Sequence, residues 1–434
     1  MIGIIADDIT GANDIGIMYA KANMTTHVYP MEAWKGRANS KGNEPKVLVL
    51  DTHSRLDTPD EAYDKVFQMT KKLQEAGCAR YINKTCSVFR GNIGAEFDAM
   101  LDALEASFGI VVLGFPKNGR TTLQGIHYVH GKKLEESEFR NDPVHPMRKS
   151  SLLDILQSQT KRRVGLITID TVELGADGLK AQIAEMKRSG FHYVIVDVRD
   201  QQSLKTIAQA VQDEPILCGS SALAEELALF EKPDALQTDG ANHLPELGRS
   251  AVLCAAGSLM PQSAAQITYA KKHGLQALEL DSLLLFDPLE KQAHCDKIVE
   301  DVSRLLEEGQ DVLIHASNNP QKVAETKVMG AERGLDNTAV SVLVSNALSD
   351  VVQSVVDETG QQRLLIAGGE TSAAVCDKLG IGGLSIWQEI EPGLPSCLTL
   401  QTPQRFLVLK SGSFGSEPFF IEAIAHLKQT EPCL

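Results

Sequence analysis

Residues 1–14 read MIGIIADDITGAND. The apolar opening run is short and unbroken, as expected of a strand buried on both faces. It stops at two adjacent carboxylates, Asp7 and Asp8, and a third, Asp14, follows. In open parallel α/β sheets ligands bind beyond the carboxyl ends of strands. Two like charges at such an end raise the local proton affinity, which suits a base, a metal or an acceptor for a hydroxyl. The alternative is that Asp8 or Thr10 caps a following helix whose apolar face is Ile15, Met18, Tyr19 and Ala22. Capping accounts for one aspartate well and for two poorly.

The same grammar runs outward along the chain. Apolar runs at 46–51, 110–115, 164–169, 193–198 and 215–219 alternate with helix-like stretches. The clearest helix starts at Thr58, with Pro59 at its first position and Glu61 completing a capping box. Residues 231–250, EKPDALQTDGANHLPELGRS, break the pattern and are the expected linker. Apolar runs resume at 251–257, 311–317, 363–369 and 406–412. The spacing predicts an α/β protein of two domains, each a largely parallel sheet flanked by helices, with the active site in the cleft between them. The division expected is 1–235 and 236–434.

Bulk properties exclude several classes. A chain of 434 residues exceeds one ordinary core. Lys and Arg total 42 against 57 Asp and Glu, a net charge of −15, which argues against a nucleic-acid partner. The eight cysteines are scattered without a CxxC pair, as in reduced cytosolic proteins. No unbroken apolar run approaches the length of a membrane span, and the first strand follows Met1 directly, so a cytoplasmic enzyme with no membrane partner is expected. Base rates for soluble enzymes add a homo-oligomer.

Two further strand ends in the first half are cationic. Arg55 follows the run ending at Asp51, and YINKTCSVFRGNIG (81–94) offers Lys84, Thr85, Cys86, Ser87 and Arg90. Guanidinium forks grip carboxylates and hydroxyls read sugar alcohols, so a small polyhydroxy acid fits this half. The second half carries phosphate signals. RLLIAGGETSAAVCDKLG (363–380) is a strand, two glycines and a helix start. Glycines there let backbone amides approach phosphate at a positive helix end. LVLKSGSFG (407–415), with Lys410 at its root, and Gly257–Ser258 repeat the device. Neither GxxxxGK[ST] nor GxGxxG occurs, so a P-loop and the dinucleotide fingerprint are both unsupported. His127, His130 and His145 read as loop or surface histidines, His315 as a candidate lining residue, and 135–138 as a solvated acidic helix.

Together ADDITGAND, KTCS, GNIG, GGETS and SGSFG resemble the four-carbon acid sugar kinases, in the expected order and over nearly the whole chain. The resemblance implies an N-terminal sugar-acid domain and a C-terminal nucleotide domain, with ATP and Mg2+ as cofactors and no metal ligand assigned. It implies phosphorylation of the terminal (C4) hydroxyl of threonate, erythronate or a 3-oxo relative. Asp7, Asp8, Arg55, Lys84, Thr85, Cys86 and Ser87 would contact the acid. Ser258, Gly368, Gly369, Glu370, Thr371 and Gly412 would contact ATP. One departure bears on specificity: many relatives have Lys-Ile-Asp-Ser-Thr where this chain has Lys84-Thr85-Cys86-Ser87-Val88. The oxo-acid kinases share a Cys-Ser element but carry a longer insertion before GNIG.

The mechanism expected has Asp8 orienting the attacking hydroxyl, while Arg55 and Lys84 neutralise the substrate carboxylate. Amides of Gly368, Gly369 and Gly412 would hold the nucleotide. A non-catalytic sensor of sugar acid or nucleotide, and a nicotinamide-dependent dehydrogenase, are the rival readings.

Overall fold

The computed structural model describes residues 1–35, 45–142, 144–231, 247–248 and 250–429. The chain divides into two compact units, Met1–Ala235 and Leu236–Leu434. The expected linker lies almost wholly outside the described residues.

The strands of the first unit are β1 (Ile2–Ala6), β2 (Thr26–Pro30), β3 (Val47–Asp51), β4 (Arg80–Lys84), β5 (Gly109–Val112), β6 (Arg120–Leu123), β7 (Ile126–Val129), β8 (Lys132–Lys133), β9 (Val164–Ile167), β10 (Tyr193–Val196) and β11 (Ile216–Gly219). Eight of these described strands form a parallel sheet in the order β2-β3-β1-β4-β11-β5-β10-β9. β1 is buried at every position, as its unbroken apolar run requires with helices on both faces. From β1 the chain builds outward to β3 and β2 on one side, then crosses to β4 on the other. The switch point therefore lies beside β1, where α/β folds place ligands. β6, β7 and β8 form a separate antiparallel sheet that the sequence reading missed.

The helix Ile9–Ala20 is buried over nearly its whole circumference rather than along one face, and it ends before Ala22. Thr58 heads the helix Pro59–Glu75 with both capping-box bonds in place, as its sequence predicts. The expected acidic helix is instead two 3-10 turns, Leu134–Glu136 and Glu138–Asn141, with Leu134 and Phe139 buried. His127 is no surface histidine: it is fully buried on β7, paired with Thr122 Oγ1 at 3.0 Å, and burial pushes its pKa down to about 3. The alternation along β7 turned it inward.

The second unit contains β12 (Leu253–Ala256), β13 (Gln276–Leu280), β14 (Val312–Ala316), β15 (Arg363–Ala367), β16 (Leu384–Glu391), β17 (Leu394–Thr399) and β18 (Phe406–Lys410). Their order is β13-β14-β12-β15-β18-β17-β16. The first five are parallel, while β17 and β16 continue as an antiparallel hairpin. Here the switch point lies between β12 and β15. The helix Asn337–Thr359 is long and apolar enough to cross a membrane by length and composition, although half of that stretch is buried within the protein. Counting only unbroken apolar runs passed over it. It packs on the helices Pro288–Glu307 and Gly369–Lys378.

Candidate functional site

The carboxyl ends of β3, β1 and β4 bring a compact charge cluster together. The Asp7 amide donates to Lys84 O at 3.4 Å, and Asp7 O accepts the amides of Ser54 and Arg55 at 3.1 and 3.3 Å. These bonds stitch the three loops. Arg55 then meets both aspartates. Its Nε and Nη2 donate to Asp7 Oδ2 and Oδ1, each at 2.8 Å. Its Nη1 and Nη2 donate to Asp8 Oδ2 and Oδ1 at 2.7 and 2.8 Å. One guanidinium thus holds two buried carboxylates in paired, charge-assisted bonds.

Asp8 also caps its helix, accepting from Gly11 N at 2.8 Å and from Thr10 Oγ1 at 2.7 Å. The two readings of the opening aspartates therefore hold together in one side chain. Burial opposes ionisation of Asp8, but Arg55 and then Lys84 outweigh it and hold the pKa at about 2. Gly11 is required here for space, since a Cβ would stand 2.5 Å from Asp8 Oδ1 and 2.9 Å from Lys84 Nζ.

Lys84 is tied to its neighbours within the protein. Only 3% of its side chain is exposed, it pairs with Asp14 at 3.4 Å, and it donates to Thr85 O at 3.2 Å. Asp14 accepts both Ser221 Oγ contacts, at 2.8 and 2.7 Å, and burial, partly offset by Lys84, lifts its pKa to about 6. Thr85 is fully buried, and its hydroxyl has no hydrogen-bond partner among the described residues. Cys86 and Ser87 are buried in the following loop. Burial raises the Cys86 thiol, but Arg90 and Arg55 draw it below its ordinary value.

Two members of the cluster escaped the sequence reading. Asp51, the last residue of β3, is lifted to about 7, chiefly by burial and against His53, with Asp8 and Asp7 adding to the rise. Its place at the end of an apolar run was a usable signal. Glu96 is buried, accepts Ser54 Oγ at 2.8 Å, and is raised well above its usual range by burial and then Asp7. Nothing in its helical context marked it.

In the second unit the loops after β12, β15 and β18 converge. A methyl at Gly257 would overlap Thr371 Oγ1, and one at Gly412 would overlap Ser258 Oγ. Gly368 sits at φ +121°, open to glycine, with Ser258 N 3.3 Å from the place of its absent Cβ. These contacts bring Ser258, Gly368, Thr371 and Gly412 to one spot from three strand ends. The helices Pro261–Lys272 and Gly369–Lys378 both begin there without a side-chain cap. Uncapped amides at a positive helix end suit phosphate, so these residues fit a nucleotide's phosphates. Glu370, in the first turn of the second helix, can serve an anion only through its backbone.

One expectation changes. The Gly368 amide, expected to face phosphate, donates to Lys410 O at 2.8 Å, just as the Gly257 amide donates to Ala367 O at 3.0 Å. The Ser372 amide donates to Gly368 O at 2.8 Å, closing the first turn of the helix Gly369–Lys378. Lys410 is fully buried and turned onto its own loop, donating to Ser411 O at 2.8 Å, and burial pushes its pKa down to about 7. A residue the sequence reading overlooked holds that loop: Gln266 Nε2 donates to Phe414 O, Gly415 O and Ser416 O at 3.0, 2.9 and 3.0 Å. His315, at the end of β14, is buried with Nδ1 against Ala316 O at 2.9 Å. Among the described residues no cluster of three or more His, Cys, Asp or Glu suits a metal ion.

Comparisons with known proteins agree with this arrangement. Residues 2–227 match the family model of a sugar-binding N-terminal domain, and residues 253–420 that of a nucleotide-binding C-terminal domain. A 3-oxo-tetronate kinase of Pseudomonas savastanoi pv. phaseolicola is 32% identical over 98% of this chain and 97% of its own. One of Pseudomonas fluorescens is 33% identical with the same coverage. A crystal structure of a Salmonella typhimurium LT2 protein superposes with a TM-score of 0.79 at 28% identity, covering 97% of this chain and 98% of the other. A Haemophilus influenzae protein of the DUF1537 family gives 0.68 at 27%, covering 98% and 100%. The two matched domains and the near-full-length likeness to named kinases define a two-domain phosphotransferase. The chain belongs to the four-carbon acid sugar kinase family.

Proposed function

We propose that this protein transfers the γ-phosphoryl group of ATP to the terminal (C4) hydroxyl of a four-carbon sugar acid bound in residues 1–235, with the nucleotide bound in residues 236–434. The observation that carries this reading is the Asp7–Asp8–Arg55 cluster at the first unit's switch point. It supplies a permanently ionised acceptor where a polyhydroxy substrate would bind. D-Threonate and D-erythronate fit that chemistry. The names of the curated relatives favour a 3-oxo-tetronate.

With a pKa near 2, Asp8 stays a carboxylate throughout the working range. It is a weak base, and its part is to accept the hydrogen bond of the C4 hydroxyl and aim the oxygen. A loose phosphoryl-transfer transition state needs alignment and charge neutralisation more than strong proton abstraction. Both Asp8 oxygens already accept two bonds each. A substrate hydroxyl must displace one, and the Thr10 hydroxyl, free to rotate, is the cheapest to release. Magnesium, when bound with ATP, would screen the β- and γ-phosphate charges. The uncapped helix starts, Ser258, Thr371 and the Gly412 turn would cradle the phosphates. Transfer requires the substrate hydroxyl and γ-phosphate to meet in line with water excluded. We place the enzyme in the cytoplasm, as an acidic metabolic kinase acting on small molecules and assembling as a homo-oligomer.

An ADP-release assay with threonate, erythronate and 3-oxo-tetronate, followed by NMR assignment of the phosphate position, tests this. Transfer to the C4 oxygen is expected. ATP turnover with none of these acids would refute the reading, and a product phosphorylated at another carbon would correct it.

A further inference from the structure

The expected role of Arg55, gripping the substrate carboxylate, is taken up by other partners. Of its five N–H donors, four bonds go to Asp7 and Asp8 along both edges of the fork. A substrate carboxylate placed there would be the third anion on one cation. Lys84 is buried and already paired with Asp14 at 3.4 Å.

Arg90 is placed differently. It lies in the loop between β4 and the helix Ile93–Ala103. Nη1 donates to Asp142 Oδ2 at 2.7 Å and Nε to Cys86 Sγ at 3.3 Å, while the guanidinium carbon lies 5.1 Å from the ring centre of Phe139. Its Nη2 makes no hydrogen bond among the described residues. Its side chain keeps 15% exposure, the same as that of Arg55, but carries one carboxylate partner where Arg55 carries two. The next residue, Gly91 at φ +104°, lies against Arg55, a Cβ there standing 3.2 Å from Arg55 Cγ. Arg90 therefore flanks the Asp7–Asp8–Arg55 cluster without being consumed by it. Asp142 is itself fixed by the amides of Val144 and His145, at 3.1 and 2.8 Å, which makes the mount rigid.

We propose that Arg90, through Nη2, receives the carboxylate of the sugar acid and selects acids over neutral polyols, leaving Arg55 to hold Asp7 and Asp8. This rests on the sugar-acid reading of the first unit and adds the residue that reads the acid group.

The test compares wild type, Arg90→Gln, Arg90→Lys and Asp142→Asn. Tetronate affinity is measured by calorimetry, and kcat/KM is measured for tetronate and for the matching four-carbon alcohol. Arg90→Gln is expected to weaken tetronate binding about 10- to 100-fold. It should abolish the preference for acid over alcohol and leave ATP affinity unchanged. Arg90→Lys should restore part of the preference, and Asp142→Asn, which loosens the mount on Nη1, should lose a smaller part of it than Arg90→Gln. Equal losses on acid and alcohol, or a loss of preference in Asp142→Asn matching that in Arg90→Gln, would overturn the proposal by showing that Arg90 only ties two loops together. A wild type that binds tetronate through Arg90 but transfers no phosphate would refute the kinase reading and support this one. Wild type binding no four-carbon acid would overturn both.

Discussion

Arg55 and Asp8 are joined edge to edge, Nη1 to Oδ2 at 2.7 Å and Nη2 to Oδ1 at 2.8 Å, while the other edge of the same guanidinium serves Asp7. This answers why a buried strand ends in two like charges: one cation, 48 residues on, compensates both. Removing it leaves two carboxylates buried and unpaired. Arg55→Ala is expected to cost about 3–5 kcal/mol of stability. Chemical denaturation measures this. A loss below about 1 kcal/mol would mean the pairs do not compensate buried charge.

Asp8→Asn keeps the shape and an acceptor oxygen for Gly11 N but loses the charge that aims the hydroxyl. Turnover should fall roughly 100-fold, the cost typical of a misplaced reacting atom. The Kd for ATP, read by calorimetry, should not move. Turnover equal to wild type would remove Asp8 from the reaction.

Gly412 has no room for a side chain, because a methyl would overlap Ser258 Oγ. Overpacking of this kind costs about 1–3 kcal/mol, equivalent to roughly 5- to 150-fold in affinity. Gly412→Ala should weaken ATP by that factor while tetronate affinity stays at the wild-type value. The reverse pattern would exchange the roles of the two units.

Gln266 holds three successive carbonyls with a single amide nitrogen. Gln266→Glu substitutes an acceptor that repels them, at a cost of about 1–3 kcal/mol. The expected readout is a raised KM for ATP with kcat for the acid little changed. A selective rise in the tetronate KM would contradict this assignment.

Asp51 gives a pH prediction with a definite sign. Its pKa rises from 3.8 unfolded to about 7 folded, chiefly through burial. The folded state therefore holds this proton more tightly, and the associated stability is complete below about pH 4 and lost as pH climbs through 7. Asp51→Asn mimics the protonated form at all pH values. The Tm difference, variant minus wild type, should grow from pH 4 to pH 8. A flat difference across that range would show that Asp51 does not titrate there.

Much of the fold was legible because the signals were local. The β1 run and the Thr58-Pro59-Glu61 start each depend on neighbours within a few residues, and both appear where their patterns place them. The β6–β8 hairpin sheet was missed because its short strands are half-buried and pair with one another away from the long apolar runs. His127 was misjudged because β7 is only four residues long, Ile126–Val129, and its alternation turns the His127 and Val129 positions inward.

What the sequence determined by itself was where charge and glycine would lie. Carboxylates end β1, cations end the loops after β3 and β4, and glycines follow β12, β15 and β18. Strand ends announce themselves by a change in hydrophobicity over a few residues. The partners were decided only by tertiary structure. Arg55 bonds to Asp7 and Asp8 rather than standing free, Lys84 to Asp14, and the Gly368 amide to Lys410 O. Those pairings join residues 47 to 70 positions apart in the first unit. Hydrogen-bond geometry across parallel strands sets them, and no local pattern encodes which neighbouring strand will lie alongside.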